Sequence, residues 1–433
     1  IFQIAIGLFL IGSALAGLSQ NMPQLIAFRA VQGVGGGGLF SIAFAIIGDI
    51  IPPRDRGRYQ GYFGAMFGMA SVAGPLLGGW MTDGPGWRWI FFINIPVGLV
   101  ALIVTSWALR LRLVRREHSI DFLGAALIVS SVCALLLYLD WAGRDYGWTA
   151  PGALGLLAAA LILGVLFIAV EARAKEPIIP LGLFNNKVFR VGNIFGFLAG
   201  ATMFGSLIFL PLYFQGVMGF SPTLSGLAML PTVVGIFGSS IASGQLISRT
   251  GRYKIYPILG AALLVVSLGL LGQLTTGTPY WQVGIFTLLF GAGLGLTMQT
   301  ILTAVQNAVD MRDMGTATAS TTFFRQLGGS IGAAIFGSVL ASRLAFHLSN
   351  STTGSSLAGG INTNNIESIR ALTGPVREFV LTALTYALND VFLAGVPFAL
   401  LALISAFFLP EIPLASRAHG ADPGHKPPPS PES

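Results

Sequence analysis

Residues 24–50 read QLIAFRAVQGVGGGGLFSIAFAIIGDI, with Arg29 near one end and Asp49 near the other as the only charges. The stretch is longer than the ~20 residues a helix needs to cross the hydrocarbon core of a bilayer. Its glycines at 33, 35, 36, 37 and 38 would each weaken a helix in water, by about 1 kcal/mol relative to alanine. In lipid they are tolerated, because the helix keeps its backbone hydrogen bonds within itself and has no water to exchange them with. The stretch therefore predicts a membrane-spanning helix. Working outward, similar apolar runs occur at 1–19, 58–82, 87–110, 121–140, 150–171, 190–215, 222–248, 254–274, 279–308, 314–344 and 384–409. The expected fold class is an all-α multi-pass membrane protein.

Composition agrees. Of 433 residues 54% are hydrophobic and 9% charged, against roughly a quarter charged in soluble domains. Water would meet large apolar patches on such a chain, which folded soluble monomers rarely expose. The single cysteine, Cys133, falls inside an apolar run and reads as a small packing residue. The net charge of +7 does not call for nucleic acid, because its placement has another cause. If the spans alternate sides, 17 of the 24 Lys and Arg fall on one side, five on the other, and two, Arg29 and Arg325, inside spans. Basic residues accumulate on the cytoplasmic face, so the basic loops and the C-terminal tail are expected there, in a cell membrane.

The outer segment 345–383 begins rich in Ser, Thr, Asn and Gly and reads as a flexible loop. Its later part, IESIRALTGPVREFV, is expected to lie as a short surface helix. The segment 345–383 also includes an N-glycosylation triplet at Asn350-Ser351-Thr352, a pattern common by chance. The tail 410–433, with Pro427-Pro428-Pro429, is expected to be disordered.

The chain also repeats itself. A shift of 258 residues superposes Gly33, Gly35 and Gly37 on Gly291, Gly293 and Gly295. It also places Arg54, Asp55 and Gly57 on Arg312, Asp313 and Gly315, and Gly74 and Gly79 on Gly332 and Gly337. Two related halves of parallel topology are a hallmark of secondary transporters. The repeat pairs the second and third spans with the tenth and eleventh. The expected domains are thus a first bundle over 1–110, two linker helices over 111–189 and a second, six-helix bundle over 190–409. On this count, two helices of the first bundle are expected upstream of Ile1.

Three stretches carry a resemblance to a known family. LIAFRAVQGVGGGG (25–38) resembles the R-x-x-Q-G fourth-helix motif of the major facilitator superfamily, and GMASVAGPLLGG (68–79) the fifth-helix antiporter motif of its drug/proton exchangers. GQLISRTGRYK (244–254) resembles the superfamily's cytoplasmic G-x-L-x-D-R-x-G-R loop, with Ser248 where Asp is usual. The chain is thus similar to the fourteen-helix drug/proton antiporters, with 12 of the 14 spans present. The resemblance implies two six-helix bundles with two inserted helices. It assigns proton coupling to Arg29 and Gln32, and transport direction to the antiporter motif at Gly68, Gly74, Pro75, Gly78 and Gly79. Cytoplasmic gating falls to Gly244, Arg249, Gly251 and Arg252.

The residues also carry a reading of their own. Gly57, Gly61, Gly64, Gly68, Ser71, Pro75, Gly78 and Gly79 share an arc of about 100° on a helix, a smooth stripe that lets another helix approach closely. Arg29 and Gln32 share one face; a charge inside a span marks a pathway or a buried pair, or snorkels to the interface. Arg325 shares a face with Gly329 and Gly332 and is expected to form a structural pair. Asp49, Asp140 and Asp390 fall at span ends, where solvation accounts for them, and the family's membrane aspartate is expected upstream of Ile1.

Other chemistries lack their residues. Gly33, Gly35 and Gly38 match G-x-G-x-x-G, but within one apolar helix rather than after a strand, so no dinucleotide site follows. No phosphate-binding G-x-x-x-x-G-K-[ST] or metal-binding H-E-x-x-H occurs, and the four histidines are placed outside the spans. Neither an enzyme, a cofactor nor a metal is expected. The expected function is proton-driven export of hydrophobic, cationic drugs by a monomer, with Asn193, Met203, Tyr213 and Gln299 lining the cavity. The alternative is export of a lipid, siderophore or metabolite on the same fold; a channel or intramembrane enzyme is remote.

Overall fold

The computed structural model describes residues 2–51, 84–108, 121–141, 148–174, 177–310, 313–349 and 374–412, with isolated positions between 58 and 81. Its long helices are α1 (Phe2–Leu18), α2 (Met22–Ile50), α3 (Asn94–Ala108), α4 (Phe122–Trp141), α5 (Pro151–Glu171) and α6 (Lys187–Leu207). They continue with α7 (Leu230–Thr250), α8 (Ile255–Leu271), α9 (Tyr280–Ala308), α10 (Met314–Ser349) and α11 (Gly374–Phe407). Each sits on an expected apolar run, and no strand forms among the described residues. The run at 58–82 is described only in part, and every position described there is helical.

Local sequence sets the ends. Asn21 caps α2, its side chain accepting the Gln24 N–H at 3.0 Å, with Pro23 in the first turn, where no N–H is needed. Asn186 caps α6 through the N–H groups of Val188 and Phe189, while its Nδ2 donates to Ala308 O at 2.5 Å and ties the start of α6 to the end of α9. Gly251 ends α7 at φ +70°, a left-handed turn that glycine takes without a Cβ clash. Beyond α6 the helix loosens into a π turn over Tyr213–Val217, just after Pro211, whose missing N–H interrupts the ladder.

The helix surfaces are apolar outward as well as inward. Trp107 is 79% exposed and Leu161 62%, faces suited to lipid rather than water. The second half forms a bundle in which α6 packs on α10, α9 and α11, and α9 packs on α7 and α8. Phe290, Phe336 and Phe392 fill its core. In the first half α1 packs on α2 and α3, while α4 and α5 pair with each other.

Glycine sets how closely these helices approach. On α6, Gly196 and Gly200 stand four residues apart; on α10, Gly328 and Gly332 do the same. A Cβ at Gly200 would overlap Arg325 O, one at Gly328 would overlap Phe197 O, and one at Gly332 would lie against Ala201. The two backbones thus meet through reciprocal small-x-x-x-small motifs. The internal repeat also has a geometric counterpart. Gly293 on α9 abuts α8 at Gly260 and Leu264; its counterpart Gly35 on α2 abuts α1 at Ala5 and Phe9. Gly291 and Gly295 abut α7, whereas Gly33 and Gly37 meet no described atom within 4 Å.

Three expectations need correction. α10 runs to Ser349 and α11 begins at Gly374, so 374–380 open the last span instead of lying as a surface helix; 350–373, with the Asn350 triplet, and the tail beyond 412 lie outside the described residues. His347 is therefore part of a helix, in the last turn of α10. Asp390 sits well inside α11 and has partners: His347 Nε2 at 3.1 Å and Arg343 Nε at 3.5 Å. The side chains of Asp49 and Asp140 lie outside the described residues.

Candidate functional site

The first half holds a polar knot between α1, α2 and the start of α3 with the turn before it. Arg29 Nη1 donates to Gln32 Oε1 at 2.9 Å, and Gln32 Nε2 donates to Ser13 Oγ at 3.0 Å. Asn94 Nδ2 also donates to Ser13 Oγ at 3.0 Å, and Ser13 Oγ donates to Phe91 O at 2.8 Å. Ser13 thus uses its one proton and both lone pairs. Gln32 is buried at 4% exposure, while Arg29 is exposed, its guanidinium 5.7 Å from the centre of the Phe91 ring. No carboxylate among the described residues pairs with Arg29. The sequence pointed to Arg29 and Gln32 but not to Ser13 and Asn94; single polar residues in apolar runs were the available signal.

The second half holds a cleft between α6, α9 and α10. Phe195, Met203, Met298 and Ile301 supply apolar walls, with Thr321 and Arg325 beside them. Arg325 is partly buried and its Nε fully so; among the described residues nothing hydrogen-bonds or ion-pairs with its guanidinium. The expected structural pair is absent there. What Arg325 does share with its neighbours is the close helix crossing at Gly200.

The remaining candidates are dispersed. Met203 lines the cleft. Asn193, a turn or so before Gly196 on α6, is buried with neither amide atom hydrogen-bonded, and Gln299 is buried with its Oε1 unpartnered. Tyr213 belongs instead to the packed core, its hydroxyl donating to Thr275 O at 3.1 Å. Of the antiporter motif, Gly74 and Gly78 are described, both helical; Gly68, Pro75 and Gly79 lie outside the described residues.

Towards the end of α7, Gly244 is buried and Ser248 Oγ donates back to Gly244 O at 3.1 Å, a local bond where the family motif has a carboxylate. Arg249 closes the last turn of α7 and Arg252 is exposed beyond Gly251. Tyr253 anchors the loop after α7 to the chain after α11. Its hydroxyl donates to Pro410 O at 2.7 Å and accepts the Ile412 N–H at 3.1 Å, and burial pushes the phenol pKa up.

Among the described residues eight helices are long and apolar enough to cross a membrane, with Phe2–Leu18 and Ile255–Leu271 shorter but apolar. They define a multi-pass membrane protein. The chain belongs to the Major Facilitator Superfamily, whose family model matches residues 1–333. It is 39% identical over 417 residues to an uncharacterized MFS-type transporter of Mycobacterium tuberculosis (strain CDC 1551 / Oshkosh), covering 96% of this chain and 60% of that protein. It is 35% identical to the multidrug transporter protein MdtP of Bacillus subtilis (strain 168), covering 95% of this chain and 80% of that one. Among solved structures, the human organic anion transporter MFSD10 superposes with a TM-score of 0.58 at 16% identity, over 94% of this chain and 76% of that one. That likeness concerns the fold. The family and its named relatives point to transport, not catalysis.

Proposed function

We propose that the chain is the translocating body of an exporter that moves small hydrophobic molecules across the cell membrane in exchange for protons. Two bundles would rock about a site near the bilayer midplane. The observation that carries this reading is the apolar cleft with one charged residue among α6, α9 and α10, in a chain whose relatives include a named multidrug transporter. Arg29 and Gln32 are assigned to proton coupling, and Gly244, Arg249, Gly251 and Arg252 to the cytoplasmic gate. No cofactor is needed. The carrier acts as a monomer in lipid.

The test is substrate movement in proteoliposomes under an imposed pH gradient, with a panel of hydrophobic fluorescent compounds. Accumulation against the compound's own gradient, abolished by a protonophore, is expected. Movement only down the gradient would indicate a channel, and a chemically altered compound without net movement an enzyme; either result sinks the reading.

Orientation is checked separately. In a Cys133→Ala background, a cysteine at Arg252, in the basic loop after α7, should react only from the cytoplasmic side. One at Gly277, in the loop between α8 and α9, should label from outside intact cells. Labelling of both from one side would overturn the topology.

A further inference from the structure

We infer that the cleft among α6, α9 and α10 is a binding site for hydrophobic organic anions, carboxylates or sulfonates on an apolar body, with Arg325 as the counter-charge. The charge balance leads there. Arg325 sits in the twelfth position of α10, roughly 16 Å along the axis from its start at 1.5 Å per residue. Its Nε is buried within the bundle. A cation at such a place normally has a partner within the protein. Arg325 has none among the described residues: its Nε is buried without an acceptor, and no carboxylate lies in the cleft wall.

The rest of the wall offers no charged partner. Thr297 Oγ1 donates to Leu294 O and Thr321 Oγ1 to Ala317 O; both oxygens are neutral acceptors, and among the described residues neither is hydrogen-bonded to Arg325. The guanidinium is left as a donor fork with no acceptor, the geometry that a carboxylate or sulfonate matches with two parallel bonds. Around it Phe195, Met203, Met298 and Ile301 offer an apolar surface, and the two methionines can adapt to bodies of different shape. Gly200 completes the arrangement. A Cβ there would lie 3.2 Å from Arg325 Cγ, so glycine keeps the arginine stem free beside α6. A cationic cargo, expected from the family resemblance, would meet this guanidinium with like charge.

The inference deepens the exporter reading, and its transport arm rests on that reading; its binding arm does not. Three probes share one dansyl fluorophore: dansylglycine, an anion; dansylglycinamide, neutral; and dansylcadaverine, a cation. Binding to the purified full chain is followed by fluorescence at fixed detergent. Dansylglycine is expected to bind tightest. Arg325→Gln should weaken it about tenfold or more, the usual consequence of losing a charged hydrogen-bond partner. The same substitution should leave dansylglycinamide unchanged and dansylcadaverine unchanged or tighter, and Arg325→Lys should keep part of the preference. Unchanged neutral binding in Arg325→Gln shows that the variant is folded. Equal affinity for all three probes in the unaltered chain would overturn the site, as would an equal loss of all three in Arg325→Gln. Intact anion selectivity with no movement of dansylglycine in proteoliposomes would leave the site standing and remove the exporter reading.

Discussion

Gly200→Ala and Gly328→Ala are each expected to destabilise the folded protein by about 1–3 kcal/mol, the range for forcing extra volume into a packed interior. The cause is contact with backbone. An added methyl at Gly200 runs into Arg325 O, and one at Gly328 into Phe197 O. A side chain could rotate away, but a carbonyl inside a helix cannot move without taking the helix with it. The clash would push α6 and α10 apart along the seam that also carries Gly196 and Gly332. The lost contact cannot be recovered from solvent exclusion, since lipid tails are as apolar as the side chains and packing itself holds membrane helices together. Thermal unfolding in detergent should show a lower midpoint for each. The double variant should lose less than the sum, because the first separation already relieves the second clash. Gly33→Ala is the control: on the repeat it corresponds to Gly291, yet no described atom lies within 4 Å of its added methyl, and its midpoint should not move. Equal losses at Gly33 and Gly200 would mean that close approach does not set the cost, since alanine is the better helix former and propensity alone would stabilise both.

That contrast also shows what the residue pattern could and could not reveal. The spans were legible because the bilayer imposes one length and one polarity on every crossing; α2, α5 and α9 begin and end within a few residues of their apolar runs. The glycines of the repeat agree in structure at one pair only: Gly35 and Gly293 each abut the preceding helix, whereas Gly33 and Gly37 lack the contacts of Gly291 and Gly295. The last span was harder. Gly374 to Val380 carry Arg377 and Glu378, which read as a surface segment, yet they continue into α11 because no glycine or proline falls between Val376 and Ala394. Pairings across helices were not legible at all. His347 and Asp390 stand 43 residues apart, and only the packing of α10 on α11 brings them to 3.1 Å. Ser13 gave no more signal than any other serine until α2 and the turn before α3 closed around it. Arg325 was visible as a charge in a span, but its lack of a partner is a property of the packed bundle.

Arg29→Ala is expected to cut pH-gradient-driven transport by at least about tenfold, the scale of losing one charged hydrogen-bond interaction, with little change in thermal stability. Gln32→Ala should lower both. The difference follows from burial and bonding. Arg29 is exposed and contributes one hydrogen bond and a ring contact. Its removal leaves Gln32 still held by Ser13, with one carbonyl lone pair unmet. Gln32 is buried and joins α2 to α1; truncating it leaves a cavity, frees one acceptor site on Ser13 and strips Arg29 of its partner. Losses of about 1–3 kcal/mol attend an unsatisfied buried polar group. Arg29→Lys separates the two roles the side chain can have. If Arg29 only anchors α2 at the membrane surface, lysine snorkels equally well and transport stays near normal. If its planar guanidinium holds Gln32 and presents further donors to a proton-carrying group, an ammonium is a poor replacement and transport stays low. Uptake under an imposed pH gradient, measured beside unfolding midpoints for all three variants, decides. Normal transport by Arg29→Ala would remove the proton-coupling assignment and leave Arg29 as an interface charge, with the Ser13–Gln32–Asn94 knot a purely structural clasp.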